Sequence, residues 1–134
     1  MTKRHCRIKL VPDFANLSVL EYFIYNNSCL SPHEKLRALL ITTEYFDNII
    51  SHSKGTRPCK VSVLISVSKR KKIIMRYHTN NFSEMVTANR ITEPYYDLES
   101  KRYRGLGLRM CRNLASSITF HKGLFKSSII IILY

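Results

Sequence analysis

The spacing of apolar side chains changes several times along this chain, and each change predicts a new element. Residues 4–11, RHCRIKLV, alternate between polar and apolar positions, which predicts an opening strand. Pro12 and Asp13 then introduce a helical pattern over residues 14–27. The chain therefore begins with a strand followed by a helix.

A second helix has a clear start and stop. Ser31 can cap it, Pro32 suits its first turn, and Glu34 completes a capping box with Ser31. Its apolar spacing continues to about His52, and the glycine and proline of residues 53–58, SKGTRP, predict its end.

The next segments alternate again and then lose their period. Residues 60–67 and 72–78 predict two strands joined by a hairpin turn, whose KRKK run is interpreted as a solvated tip rather than a nucleic-acid patch. A short helix is predicted at residues 83–88. Residues 89–104 show no period, which favours a mobile lid loop.

The last part of the chain predicts a helix over residues 106–117 and a closing hairpin formed by residues 118–123 and 126–134. The order β-α-α-β-β-loop-α-β-β predicts an α+β fold. We expect a two-layer α/β sandwich, with a mixed, mostly antiparallel sheet covered on one face by helices. Residues 1–134 are expected to form one domain.

A polar row interrupts the second helix. Glu44, Asn48 and His52 are spaced four residues apart, so they are neighbours on one helix surface, whereas Asp47 lies about 100° away. The row is either a solvated face or a site.

Composition limits the partners. The chain has 22 Lys and Arg against 9 Asp and Glu, a net charge of +13, which favours an anionic partner of some kind. Its four cysteines are widely spaced, which argues against structural zinc or a disulfide framework. The N-terminus lacks a signal-peptide pattern, and the apolar C-terminal run is too short to cross a bilayer, so a cytoplasmic protein without membrane contact is expected.

A second candidate motif precedes the third helix. Gly105 and Gly107 flank Leu106, and Lys101 and Arg104 bring positive charge next to them. Glycines at a helix N-terminus allow backbone N–H groups to approach phosphates, although they also simply ease a tight junction.

Taken in order, the E-x-x-x-N helix, the hairpin, the long loop and the G-L-G-L sequence resemble the GHKL (Bergerat-fold, histidine-kinase-like) ATPases. Within them the chain is similar to the anti-sigma-factor serine/threonine kinases, over essentially its whole length. The resemblance implies a site for ATP and Mg²⁺ between the second helix and the glycine box. Two groups of residues carry it: Glu44, Asn48 and His52 at the N-box, and Gly105, Leu106, Gly107 and Leu108 at the second glycine box.

The resemblance also implies a role for each group. Asn48 would be the metal ligand, and Glu44 would be the catalytic base. His52, the glycine box, Lys101 and Arg104 would bind the nucleotide. The family's Asp-x-Gly box is missing, because Tyr77 and Thr79 occupy the aligned positions.

The leading hypothesis is therefore an ATP-binding regulator of transcription that switches between protein partners. Those partners would be a sigma factor or an anti-anti-sigma-like protein, and a homodimer is common in the family. The kinase reaction would transfer phosphate to a protein serine. The alternative is a degenerate GHKL-fold module that binds protein without nucleotide turnover. Direct nucleic-acid binding is not expected, since no motif for it is present.

Overall fold

A computed structural model describes residues 4–52, 60–78, 95–98, 102–104 and 106–134, and for residues 52, 95–97, 102–104 and 106–109 it describes the backbone alone. The helices are a 3₁₀ turn at Phe14–Asn16, α1 (Leu17–Tyr25), α2 (Pro32–His52) and α3 (Leu106–Leu114). The strands are β1 (Arg4–Leu10), β2 (Val61–Val67), β3 (Lys71–His78), β4 (Tyr95–Asp97), β5 (Arg102–Arg104), β6 (Ser117–His121) and β7 (Lys126–Ile132).

Five strands form one sheet in the order β1-β2-β3-β7-β6. Each neighbouring pair in it is antiparallel, so the described sheet contains no parallel pairing. The chain is thus an α+β protein, and the predicted two-layer sandwich is confirmed.

The core lies between one face of this sheet and the helices. Alternate residues of the central strands, such as Val63, Met75 and Ile129, pack with Ile41 and Phe46 of α2. Strand side chains alternate in direction, so the intervening residues point to the opposite face, which we call the outer face.

The start of α2 forms as its capping box predicts. The backbone N–H of Ser31 donates to Glu34 Oε1 at 2.8 Å, and the backbone N–H of Glu34 donates to Ser31 Oγ at 3.3 Å. Lys71 Nζ of β3 donates to the same carboxylate. Burial raises the pKa of Glu34, but these hydrogen bonds and the lysine charge outweigh it and leave the pKa below its ordinary value. The first turn of α2 is therefore fixed both locally and to the sheet.

Several predicted boundaries were wrong by a few residues. The first helix begins as a 3₁₀ turn, where Asp13 Oδ1 accepts from Ala15 N at 3.0 Å. The turn of the β2–β3 hairpin is shorter than predicted, since Lys71 already belongs to β3. Helix α3 ends at Leu114, because Ser116 N donates to the Ile132 carbonyl at 2.8 Å and the chain joins the sheet.

The segment predicted to be a lid without regular structure is partly a hairpin. Strands β4 and β5 pair antiparallel in a separate two-stranded sheet. Each has three residues, too few to display a period of two in the sequence. The predicted helix at 83–88 and the predicted end of α2 at 53–58 lie outside the described residues.

Candidate functional site

Asn48 does not belong to a solvated helix face. Its side chain is buried, with 5% of the residue exposed, and Glu44, one turn earlier, is half-buried. Tyr45 and Ile49, which each follow a member of this row and lie together on one flank of it, are fully buried. The central residue of the polar row, Asn48, is therefore buried and not in water.

Helix α3, which begins at the G-L-G-L sequence, packs against α2. Cys111 of α3 is completely buried, and burial raises the pKa of its thiol to about 12, with a further contribution from the Glu44 carboxylate. An electrostatic effect of this kind requires Glu44 to lie near Cys111. Cys111 lies four residues, about one helical turn, after Gly107. The helix of the polar row and the helix that begins at the G-L-G-L sequence are therefore neighbours.

The remaining predicted site residues are only partly described. Leu106, Gly107 and Leu108 form the first turn of α3, whereas Gly105 lies outside the described residues. His52 is the last residue of α2, and the position of its side chain is not described. Arg104 is the last residue of β5, and Lys101 lies outside the described residues.

Tyr77, at the position aligned with the absent aspartate, is a core residue with 1% exposure. Burial raises the pKa of its phenol, so the group is neutral at physiological pH. Tyr77 also helps to raise the pKa of Tyr45, after burial, Cys111 and Glu44, which places the two tyrosines near one another. Tyr45 in turn meets the ring of Phe120 edge-on, with centroids 5.9 Å apart. The aligned position therefore holds an aromatic core and not a carboxylate; Thr79 lies outside the described residues.

Within the described part of the chain, the buried polar atoms that lack a hydrogen-bond partner include the amide nitrogen of Asn48, the hydroxyl of Tyr77 and, near the start of α2, Arg37 Nε. A buried donor without a partner costs about 1–3 kcal/mol, so such groups are uncommon in cores and are candidates for ligand contact.

The side chains of Asn48 and Glu44 fit the Mg²⁺–phosphate end of a nucleotide. The amide oxygen of Asn48 and the carboxylate of Glu44 are hard oxygen donors of the kind Mg²⁺ takes, usually together with phosphates and waters. Among the described residues no group of three His, Cys, Asp or Glu could hold a metal alone, so phosphates would have to complete the set. The nucleobase of ATP fits less well, because Tyr77 offers no carboxylate to the adenine amino group.

Sequence reasoning missed Cys111 and Arg112 as neighbours of the polar row. The Arg112 charge opposes the rise in the Tyr45 pKa, so Arg112 also lies near this part of α2. Their positions, four residues after Gly107 and Leu108, place them one turn into α3. This helical spacing was the available signal.

Comparison with known proteins gives a structural likeness only. No protein-family profile matches the chain, and no curated protein matches it. A chain from the crystal structure of the SiaB–SiaC complex from Pseudomonas aeruginosa superimposes with a TM-score of 0.64 at 12% sequence identity. The match covers 96% of this chain and 89% of that chain. The two chains share a fold over nearly their full length.

No helix among the described residues is long and apolar enough to span a membrane.

Proposed function

We propose that this chain is a regulatory protein that binds a Mg²⁺–nucleoside triphosphate between α2 and the start of α3, and that it acts by binding protein partners. The burial of Asn48 with an unpaired amide nitrogen carries this proposal. A solvated polar face would leave that side chain in water, and a purely structural core position would favour an apolar residue.

The packing of α3 on the helix that carries Asn48 supports a phosphate site. The first turn of a helix presents free backbone N–H groups, and here that turn is Leu106–Leu108, in the helix that packs on α2. Asn48 would hold Mg²⁺, and His52, Lys101, Arg104 and the Gly105–Leu108 segment would bind the nucleotide. Mg²⁺ would supply charge neutralisation of the phosphates.

If the site transfers phosphate, Glu44 would be the general base. A serine oxygen of the partner would form the new bond to the terminal phosphorus as the bond to the departing ADP breaks, and Glu44 would accept the serine proton. Glu44 lies in the same helix as Asn48 and one turn away from it, which suits this role.

The neighbour of known structure supports a protein partner, because it was crystallised as a complex of two proteins. By the resemblance to anti-sigma-factor kinases, the partner proposed here is a sigma factor or an anti-anti-sigma-like protein.

A second function is favoured by Tyr77. With a neutral phenol packed into the core at the base-reading position, a module that binds protein without nucleotide turnover is the alternative. Loss of a hydrogen bond to a charged group costs roughly 1.5–3 kcal/mol, or about ten- to a hundredfold in affinity. The proposed nucleotide binding should therefore be weak and discriminate poorly between ATP and GTP.

Calorimetric titration of ATP, ADP and GTP with and without Mg²⁺ tests these alternatives. We expect weak binding that requires Mg²⁺, similar for ATP and GTP, and abolished by Asn48→Leu. The matched control is Asn27→Leu, an equally buried asparagine away from α3, which should bind as the unmodified protein does. Absence of binding for all three nucleotides would refute the proposed nucleotide site and leave the alternative, and Mg²⁺-dependent binding that survives Asn48→Leu would refute the assignment of the site to Asn48.

A further inference from the structure

The outer face of the five-stranded sheet has a distinct chemical composition. By the strand register, Arg7, Leu64, Ile74 and Ile130 lie side by side across β1, β2, β3 and β7. Neighbouring strands are about 4.8 Å apart, so Leu64, Ile74 and Ile130 form a continuous apolar strip. These three residues are partly exposed and do not belong to the core beneath the helices.

Basic side chains surround the strip on both sides. Lys9 and Arg76 lie in the row on one side, and Lys72 and His5 lie in the row on the other. His121 of β6 extends the first row, and Arg7 ends the strip at the sheet edge. Among the described strand residues of this face there is no Asp or Glu.

The residues between these basic side chains are small. Ser62 separates Lys9 from Arg76, and Ser66 separates His5 from Lys72, each with 7% exposure. Long basic side chains can cover neighbouring serines with their methylene groups, while the charged ends of the lysines and arginines stay in water. The face is thus an apolar strip with a cationic rim, which is the arrangement of a protein interface with a central apolar patch.

We propose that this outer face is the docking surface for an acidic protein partner. The cationic rim requires carboxylates opposite it, and the aliphatic strip requires an apolar patch between them.

Other occupants fit less well. Nucleic acid on a sheet is bound by aromatic side chains that stack on bases, and this strip is aliphatic. A second copy of the chain would place its cations against identical cations, and the charged side chains of β1 disfavour edge pairing. Membrane interfaces are usually contacted by Trp, Tyr or Phe side chains, and the strip has none.

This proposal deepens the proposed function, since it names the surface for its protein partner, and it rests on that function only for the existence of a partner. The outer face is on the side of the sheet opposite α2, and docking there requires neither Asn48 nor nucleotide. Binding to the outer face is therefore measured without nucleotide, so that failure of the docking proposal and failure of the nucleotide site can be told apart.

Binding of labelled synthetic probes, followed by fluorescence anisotropy at two salt concentrations, tests the surface. The probes are a peptide of about twelve residues that combines Glu and Leu, one that combines Glu and Ser, and an oligothymidylate of similar charge, with phosphatidylserine vesicles tested by sedimentation. We expect the Glu-Leu peptide to bind about tenfold more tightly than the Glu-Ser peptide and the oligothymidylate, because it alone satisfies both rim and strip. Added salt should weaken this binding.

Two variants with the same charge change locate the effect. Arg7→Glu with Arg76→Glu reverses two exposed cations of the face and should lower the affinity for the Glu-Leu peptide by about tenfold or more. Lys69→Glu with Lys122→Glu reverses two exposed cations in turns and should change the affinity for this peptide by less than about twofold. All four side chains are exposed, so both variants should keep the unmodified circular dichroism spectrum.

Several results would overturn the proposal. Equal binding of the two peptides would show that the apolar strip is not used, and equal loss in both double variants would show an effect of net charge alone. Tighter binding of oligothymidylate or vesicles, lost on reversal of Arg7 and Arg76, would assign the face to nucleic acid or lipid. A dimer in sedimentation velocity that dissociates in the same variant would assign it to a second copy.

Discussion

Replacement of Asn48 by leucine should stabilise the free protein while removing its proposed function. Asn48 is 5% exposed and its amide nitrogen has no acceptor in the described part of the chain. Leucine has a similar size, so the substitution removes an unsatisfied donor without leaving a large cavity. Relief of that donor contributes about 1–3 kcal/mol, and the higher helix propensity of leucine adds a few tenths of a kcal/mol.

We therefore expect the free energy of unfolding to rise by about 1–2 kcal/mol once partial repacking is allowed for. In a chain of this size that corresponds to a melting temperature higher by about 3–6 °C. Urea denaturation followed by circular dichroism measures the free energy, and an unchanged slope shows that both proteins unfold in the same way.

Asn27 provides the matched comparison. It is equally buried, but its side-chain oxygen accepts from Cys29 N at 2.9 Å. Asn27→Leu removes that bond and should lower the free energy of unfolding by about 1 kcal/mol. If Asn48→Leu destabilised the free protein as much as Asn27→Leu does, then the Asn48 amide would have a structural partner, and the argument for a ligand site would fail.

Two further predictions concern stability. Glu34→Gln keeps a capping side chain but loses the charge that binds Lys71, whose side chain is 32% exposed, so we expect a loss of about 1 kcal/mol in urea denaturation at pH 7, and a larger loss for Glu34→Ala. The folded-state pKa of Glu34 is lowered from 4.5, so the ionised carboxylate stabilises the fold above pH 4.5, and this stabilisation is lost as the pH falls through the folded-state pKa. In Glu34→Gln the free energy of unfolding should therefore lack the fall that Glu34 causes on acidification. An identical dependence of unfolding free energy on pH in both proteins would disprove the assignment. Gly123→Ala should destabilise by about 1–3 kcal/mol, because the added Cβ would lie 2.2 Å from the Lys126 carbonyl oxygen, whereas Lys122→Ala next to it should be nearly neutral; equal melting temperatures for the two variants would contradict this.

The sequence by itself determined the elements whose signals are local. The start of α2 depends on Ser31 and Glu34, three residues apart, and their reciprocal hydrogen bonds form as the sequence predicts. The β-branched and apolar residues of β2, β3 and β7 likewise predict three strands, and strands separated by short turns predict hairpins. These signals also sufficed for the α+β fold class.

Tertiary structure decided which residues meet. The insertion of β7 between β3 and β6 depends on contacts between distant segments, and it brings Ile130 beside Ile74 on the outer face. The burial of Asn48 follows from tertiary packing around α2, whereas a polar row on a helix has the same sequence pattern whether or not another element covers it. The core position of Tyr77 likewise follows from the direction of its side chain in a sheet whose inner face the helices cover. Local spacing places a residue on a face, but only long-range packing determines whether that face meets water, a helix or a partner.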